Sequence, residues 1–301
     1  MGDRNYCYAR AYRHYLMSRF RDKPYLFIHT MGKVGSSTIE RSFREKNLDQ
    51  EMTIYWTHFL SPEGVKFFEK LEINGYGDWN RFPPNIKSLI SRSRVLSNQL
   101  RNGRFKGKKC KVVTLVRDPV ATNISGYFQN HGWWPQELID KCMNYSPDYI
   151  DELIKNFHDN YPHEVPVTWF DTEMKPVFGI DVYSTEFIKD TGFCIIKGRF
   201  SDILIIKLEK LDDCANEAFG KFLDINDFEI IKDNLAREKW YQSIYQEFIE
   251  KIILPASYID RMYTSQFANH FYTQDEINSL KARWEKVSIQ NNEEQNLPVL
   301  E

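Results

Sequence analysis

The stretch FIHTMGKVGSST, Phe27 to Thr38, decides the fold. An apolar run breaks off into Gly32, Lys33 and Gly35, and three hydroxyl residues follow, Ser36, Ser37 and Thr38. Just upstream, PYLFIHT is a short apolar segment opened by Pro24, the pattern of a parallel strand buried on both faces. Downstream, SSTIERSFREKN places helix-forming residues behind a Ser/Thr start. A glycine-rich turn between a buried strand and a helix presents backbone N–H groups at the positive end of the helix dipole, which suits a phosphate. The same residues also suit an ordinary strand-to-helix turn in which a serine caps the helix.

Further along, MTIYWTHFL reads as a second strand, Asn85 to Arg101 as a basic helix, and KCKVVTLVRDP as a third buried strand stopped by Pro119. Tyr145 to Lys175, rich in Pro, Asp and aromatics, is expected to be irregular. GFCIIKGRFSDILIIKLEKL reads as an antiparallel hairpin turning near Gly198 to Asp202, its second arm joining the main sheet. From Cys214 onward the pattern is helical. The expected architecture is an α/β fold of three layers, P-loop-like, with a short parallel sheet and a C-terminal helical layer. It would form one domain over residues 1–287, helical over 214–287, with residues 288–301 as a mobile polar tail.

Composition narrows the function. The 301 residues can bury a sizeable core, and a net charge of −2 gives no general case for nucleic acid or an anionic membrane. Local charge differs, because Arg81 to Lys111 holds ten Lys or Arg and no Asp or Glu: either a solvated helix face or the surroundings of an anion. Five cysteines, odd in number and without a CxxC pair, suggest neither a disulfide framework nor zinc. No run approaches the roughly 18 apolar residues of a membrane span, no signal peptide is visible, and Tyr6 stands where a myristoylation motif needs Ser or Thr. The expectation is a cytoplasmic protein. Aromatics are abundant at 15%, and Trp133, Trp134, Trp169, Trp240 and Tyr241 suit either sugar stacking or helix packing.

The loop departs from the ATP-binding pattern. There a Lys directly precedes the Ser or Thr at the helix start, so the Lys reaches the terminal phosphates and the hydroxyl reaches magnesium. Here Lys33 comes before Gly35 and the hydroxyls, and VVTLV runs into Arg117 rather than an acidic metal ligand. Cations without carboxylates point to a phosphate-bearing donor handled without metal.

HTMGKVGSST resembles the 5′-phosphosulfate loop of sulfotransferases, and LVRDPVATNISGYF, Leu115 to Phe128, resembles their 3′-phosphate motif, with Arg117 and Ser125 at the two matching positions. ILIIKLEKL followed by FGKFLDI is similar to a further segment of that superfamily, and KWYQSIYQEF and FANHFYTQDEI resemble a bacterial branch of capsular polysaccharide synthesis proteins. The resemblance implies a donor, 3′-phosphoadenosine-5′-phosphosulfate (PAPS), and a product, 3′,5′-adenosine bisphosphate. Lys33, Val34, Gly35, Ser36, Ser37 and Thr38 would hold the 5′ side, Arg117 and Ser125 the 3′-phosphate, and Lys33 would meet charge on the leaving oxygen.

The proton acceptor stays open among three residues. His58 follows the second strand, where polysaccharide-modifying sulfotransferases have a base histidine, His131 follows the second motif, and Glu40 lies on the first helix. The implied acceptor is a carbohydrate hydroxyl, polysaccharide or glycan. Two other readings use the same loop, a nucleotide kinase dependent on magnesium and a non-catalytic nucleotide-binding scaffold.

Overall fold

The computed structural model describes residues 2–19, 23–103, 105, 109–231 and 239–295, with the backbone alone at 2, 3, 18, 19 and 286–295. In chain order the first elements are α1 (Gly2–Arg19), β1 (Tyr25–His29), α2 (Ser36–Glu45), α3 (Leu48–Glu51), β2 (Thr53–Thr57), α4 (Pro62–Tyr76), α5 (Pro84–Arg101) and β3 (Cys110–Val116). Then come α6 (Pro119–Gln129), α7 (Gln136–Met143), α8 (Tyr149–Asn160), α9 (Val165–Trp169), a π-helical turn (Phe170–Met174) and α10 (Lys175–Phe178). The rest is β4 (Phe193–Lys197), β5 (Ser201–Lys207), α11 (Leu211–Leu223), α12 (Gln242–Lys251), α13 (Ala256–Tyr263), α14 (Gln266–Phe271) and α15 (Gln274–Gln295). The chain divides into two compact units, one of Met1–Arg117 with Thr168–Asp233, the other of Asp118–Val167 with Asn234–Glu301.

The first unit is mixed α/β around a five-stranded sheet in the order β2-β1-β3-β5-β4. β1 pairs in parallel with β2 and β3, β3 with β5, and only β4 runs antiparallel, against β5. The central strands are the near-continuous apolar runs that burial on both faces requires: every residue of β1 and β5 is buried, whereas edge strand β2 alternates. Phe27 packs against Tyr55, Phe105 and Phe178. The connection from β1 leads to β2 on one side, while β3 lies on the other. The strand order therefore reverses at β1, the place in an open parallel sheet where a crevice forms beyond the carboxyl ends.

The second unit is helical and held by aromatics. Tyr127 and Phe128 of α6 meet Phe157 of α8 and Phe248 of α12, and the Tyr127 hydroxyl donates to Leu153 O at 3.0 Å. Asp118 anchors three segments there: its Oδ1 accepts from Val120 N at 3.1 Å and the Tyr263 hydroxyl at 2.6 Å, and its Oδ2 from Trp284 Nε1 at 3.0 Å.

One expectation is corrected. Tyr145 to Lys175 is mostly helical, because YIDELIKNFHDN places Tyr149, Ile150, Leu153 and Phe157 on one buried stripe. The polar segment from residue 288 remains helical to Gln295, and 296–301 lie outside the described residues.

Candidate anion-binding and catalytic site

The turn after β1 is shaped by its buried apolar residues. Met31 and Val34 are fully buried, while Gly32 and Lys33 between them and Gly35 just after stay partly exposed. Lys33 and Gly35 both take the left-handed conformation, with φ of 67° and 89°. For a lysine this costs roughly 1–2 kcal/mol, so the surroundings must impose it. Arg117, just beyond the end of β3, supplies one such constraint by donating from Nη1 to Lys33 O at 2.9 Å.

Gly35, not a serine, occupies the N-cap position of α2, and no side chain caps the helix. Ser36 is buried as the first helical residue, Ser37 is exposed and Thr38 half-buried. The serines thus start inside the helix rather than capping it. A helix start without a side-chain cap keeps several amide donors at its positive end. Gly35 also lies tight against β5's exit, since a Cβ there would stand 2.6 Å from Leu208 Cδ1.

His58 immediately follows β2. Its Nδ1 lies 2.7 Å from Thr30 O, and because a carbonyl only accepts, Nδ1 carries the hydrogen and Nε2 the lone pair. Its pKa is pushed down to about 4, chiefly by burial, against the bond to Thr30 and with help from the charges of His29 and Lys33. That coupling brings Lys33 and His58 into one electrostatic neighbourhood at the carboxyl ends of β1 and β2.

Glu40 is less suited to proton transfer, since it pairs with Arg44 at 2.7 Å along the surface of α2. It also stabilises the charge of Arg92 on α5, whose Nη1 donates to Trp56 O at 3.2 Å beside the end of β2. Among the described residues of the basic run, Arg92 approaches this region, while several others are engaged elsewhere: Lys87 with Asn80 O, Arg94 with Glu69, Lys109 with Asp202 and Lys111 with Phe222 O. Arg104, Lys106 and Lys108 lie outside the described residues.

Ser125 and His131 belong to the second unit. Ser125 is half-buried on α6. His131 opens a 3-10 turn, with Nδ1 3.3 Å from Phe128 O, a pKa lowered mainly by burial, and its ring against Trp134, Trp240 and Tyr241. Among the tryptophans, Trp134 and Trp169 are buried packing residues, which removes Trp169 as a stacking surface, whereas Trp240 is 41% exposed.

Sequence reasoning missed Glu173. This fully buried carboxylate on the π-helical turn accepts from Leu60 N at 2.6 Å and Ser61 N at 2.9 Å through Oε2, and from the Ser61 hydroxyl at 2.7 Å through Oε1. Its Oε2 also lies 3.4 Å from His29 Nε2. More than a hundred positions separate Glu173 from Leu60 and Ser61, and no local pattern encodes such a contact.

Residues 141–273 match the model of the family described as "NKWYS: Putative capsular polysaccharide synthesis protein". The match supports the capsular branch of the resemblance: it contains all of KWYQSIYQEF and reaches into FANHFYTQDEI. Lys33, His58, Arg117, Ser125 and His131 all precede it. No curated protein and no solved structure matches the chain.

Proposed function

We propose that the protein is a sulfotransferase that moves the sulfuryl group of PAPS to a hydroxyl of a carbohydrate acceptor in polysaccharide biosynthesis. The observation that carries this reading is the loop: a helix start without a side-chain cap, left-handed Lys33 held by Arg117, and His58 with Nε2 available beside it. These residues fit a polyanionic nucleotide. The amides from Val34 to Thr38 would take the 5′ side, and the guanidinium of Arg117, which has five donors and gives one to Lys33 O, would take the 3′-phosphate. Ser125 has that last role on the resemblance alone. A P-loop-like fold of three layers belongs to the same proposal.

Sulfuryl transfer, like phosphoryl transfer, depends on in-line placement and on meeting charge at the leaving oxygen. Lys33 meets that charge. His58 Nε2 takes the proton of the acceptor hydroxyl as its oxygen bonds to sulfur and the bond from sulfur to the donor's phosphate oxygen breaks, releasing 3′,5′-adenosine bisphosphate, while Nδ1–H stays on Thr30 O. His58 therefore ranks above Glu40, which pairs with Arg44, and above His131, which is packed among aromatic rings. The capsule-related match supports a carbohydrate acceptor.

The deciding experiment compares thermal shifts with 3′,5′-adenosine bisphosphate and with ATP plus magnesium, followed by labelled PAPS against a glycan panel. Selective stabilisation by the bisphosphate and transfer to a glycan are expected; stabilisation by ATP alone would favour the kinase reading. His58→Asn should abolish most turnover. A base must be neutral to act, and burial lowers the pKa of His58 to about 4. Hence kcat/KM should rise with pH through an acid limb near 4, well below the ordinary histidine value.

A further inference from the structure

We infer that Glu173 is a positioning residue for His58, holding the segment after β2 so that the ring keeps Nδ1 on Thr30 O and Nε2 turned to the acceptor. The inference rests on His58 being the base. Its evidence is a set of contacts from one short stretch of chain, Trp169 to Glu173. Trp169 Nε1 donates to His58 O at 3.0 Å, fixing the backbone of the histidine itself. Four residues later the Glu173 carboxylate gathers the amides of Leu60 and Ser61 and the Ser61 hydroxyl, so residues 58 to 61 are held at both ends.

The site is built around that carboxylate. Ser61 is the N-cap of α4, accepting from Gly64 N at 2.9 Å while donating to Glu173, so the first turn of α4 is locked to the same group. Gly64 leaves the necessary space, because a Cβ there would fall 1.7 Å from Glu173 Oε1. On the other side His29, the last residue of β1, faces Oε2 and shares its Nδ1 with the Thr57 hydroxyl at 3.0 Å. Glu173 therefore stands between the end of β1 and the segment after β2 that carries His58. A fully buried carboxylate is costly unless it is well satisfied, and apolar packing would hold a helix in place as well. Its presence on a π-helical turn, a feature frequent at functional sites, agrees with a positioning task.

The test reads the tautomer of His58 directly. In protein labelled with 15N histidine, the ring nitrogen shifts of His58, assigned by their loss in His58→Asn, are compared among wild type, Glu173→Gln and Trp169→Phe. Wild type should show the Nδ1–H form predominantly. Both variants should shift toward a mixture with Nε2–H, and Glu173→Gln should lower kcat about tenfold to a hundredfold while its affinity for 3′,5′-adenosine bisphosphate is unchanged. An unchanged tautomer in either folded variant overturns the inference, whatever the activity does. If Glu173→Gln does not fold, Trp169→Phe, which keeps an aromatic ring, decides. If no acceptor is ever sulfated, the proposed function fails and the tautomer still decides the role of Glu173.

Discussion

Two of the helices that follow central strands of the sheet, α2 after β1 and α6 after β3, begin in opposite ways. α6 is closed: Pro119 opens it, Asp118 accepts from Val120 N, and the same carboxylate receives the Tyr263 hydroxyl and Trp284 Nε1. α2 opens on left-handed Gly35 without any side-chain cap. Both sequences offer capping residues, Asp118 in one case and three hydroxyls in the other, yet only the first uses one. The difference teaches that a helix start becomes an anchor when a side chain takes up its amides, and keeps those amides open to a ligand, as the proposed function requires, when the backbone conformation holds side chains away from them.

The comparison can be broken from either side. Lys33→Ala should lower turnover with PAPS by about a hundredfold to a thousandfold, the usual effect of deleting one group that meets transition-state charge. Near-normal turnover would remove the open helix start from the chemistry. Asp118→Ala leaves three donors without their buried acceptor and should cost about 3 kcal/mol in denaturant unfolding; an unaffected midpoint would show that α6 needs no anchor. Gly35→Ala introduces a side chain at φ 89° and against Leu208. It should destabilise by about 1–2 kcal/mol and weaken binding of the bisphosphate, measured by melting and by calorimetry. The smallest effect sharpens the contrast most. Ser36→Ala should change stability by less than about 0.5 kcal/mol, and a loss near 1 kcal/mol, typical of an N-cap, would mean that Ser36 caps α2 after all.

Much of the fold was legible because it is encoded locally. The apolar runs of β1, β3 and β5, the glycine turn at Gly35 and the hairpin of β4 and β5 each declare themselves within about ten residues. The position of Lys33 after β1 followed from those runs, and that of His58 from the run of β2 read in the same way. The region from Tyr145 to Lys175 misled because its Pro, Asp and aromatic content outweighed a helical stripe spaced over α8. Glu173 was hidden for the same reason: it sits in that region, and the donors it satisfies come from the far side of the sequence.

The sequence by itself therefore determined a strand, a glycine-rich turn and a helix around Lys33, a histidine after β2, and an arginine after β3, because strand and helix periodicity and turn chemistry act over a few residues. Only the tertiary structure decided that the strand order reverses at β1 and that Arg117 reaches back to Lys33 O. It also decided that Thr30 fixes which nitrogen of His58 bears the hydrogen, and that Glu173 holds the segment beside it. Those outcomes depend on burial and hydrogen bonding between residues distant in the chain. Buried polar groups must find partners wherever folding brings one within reach.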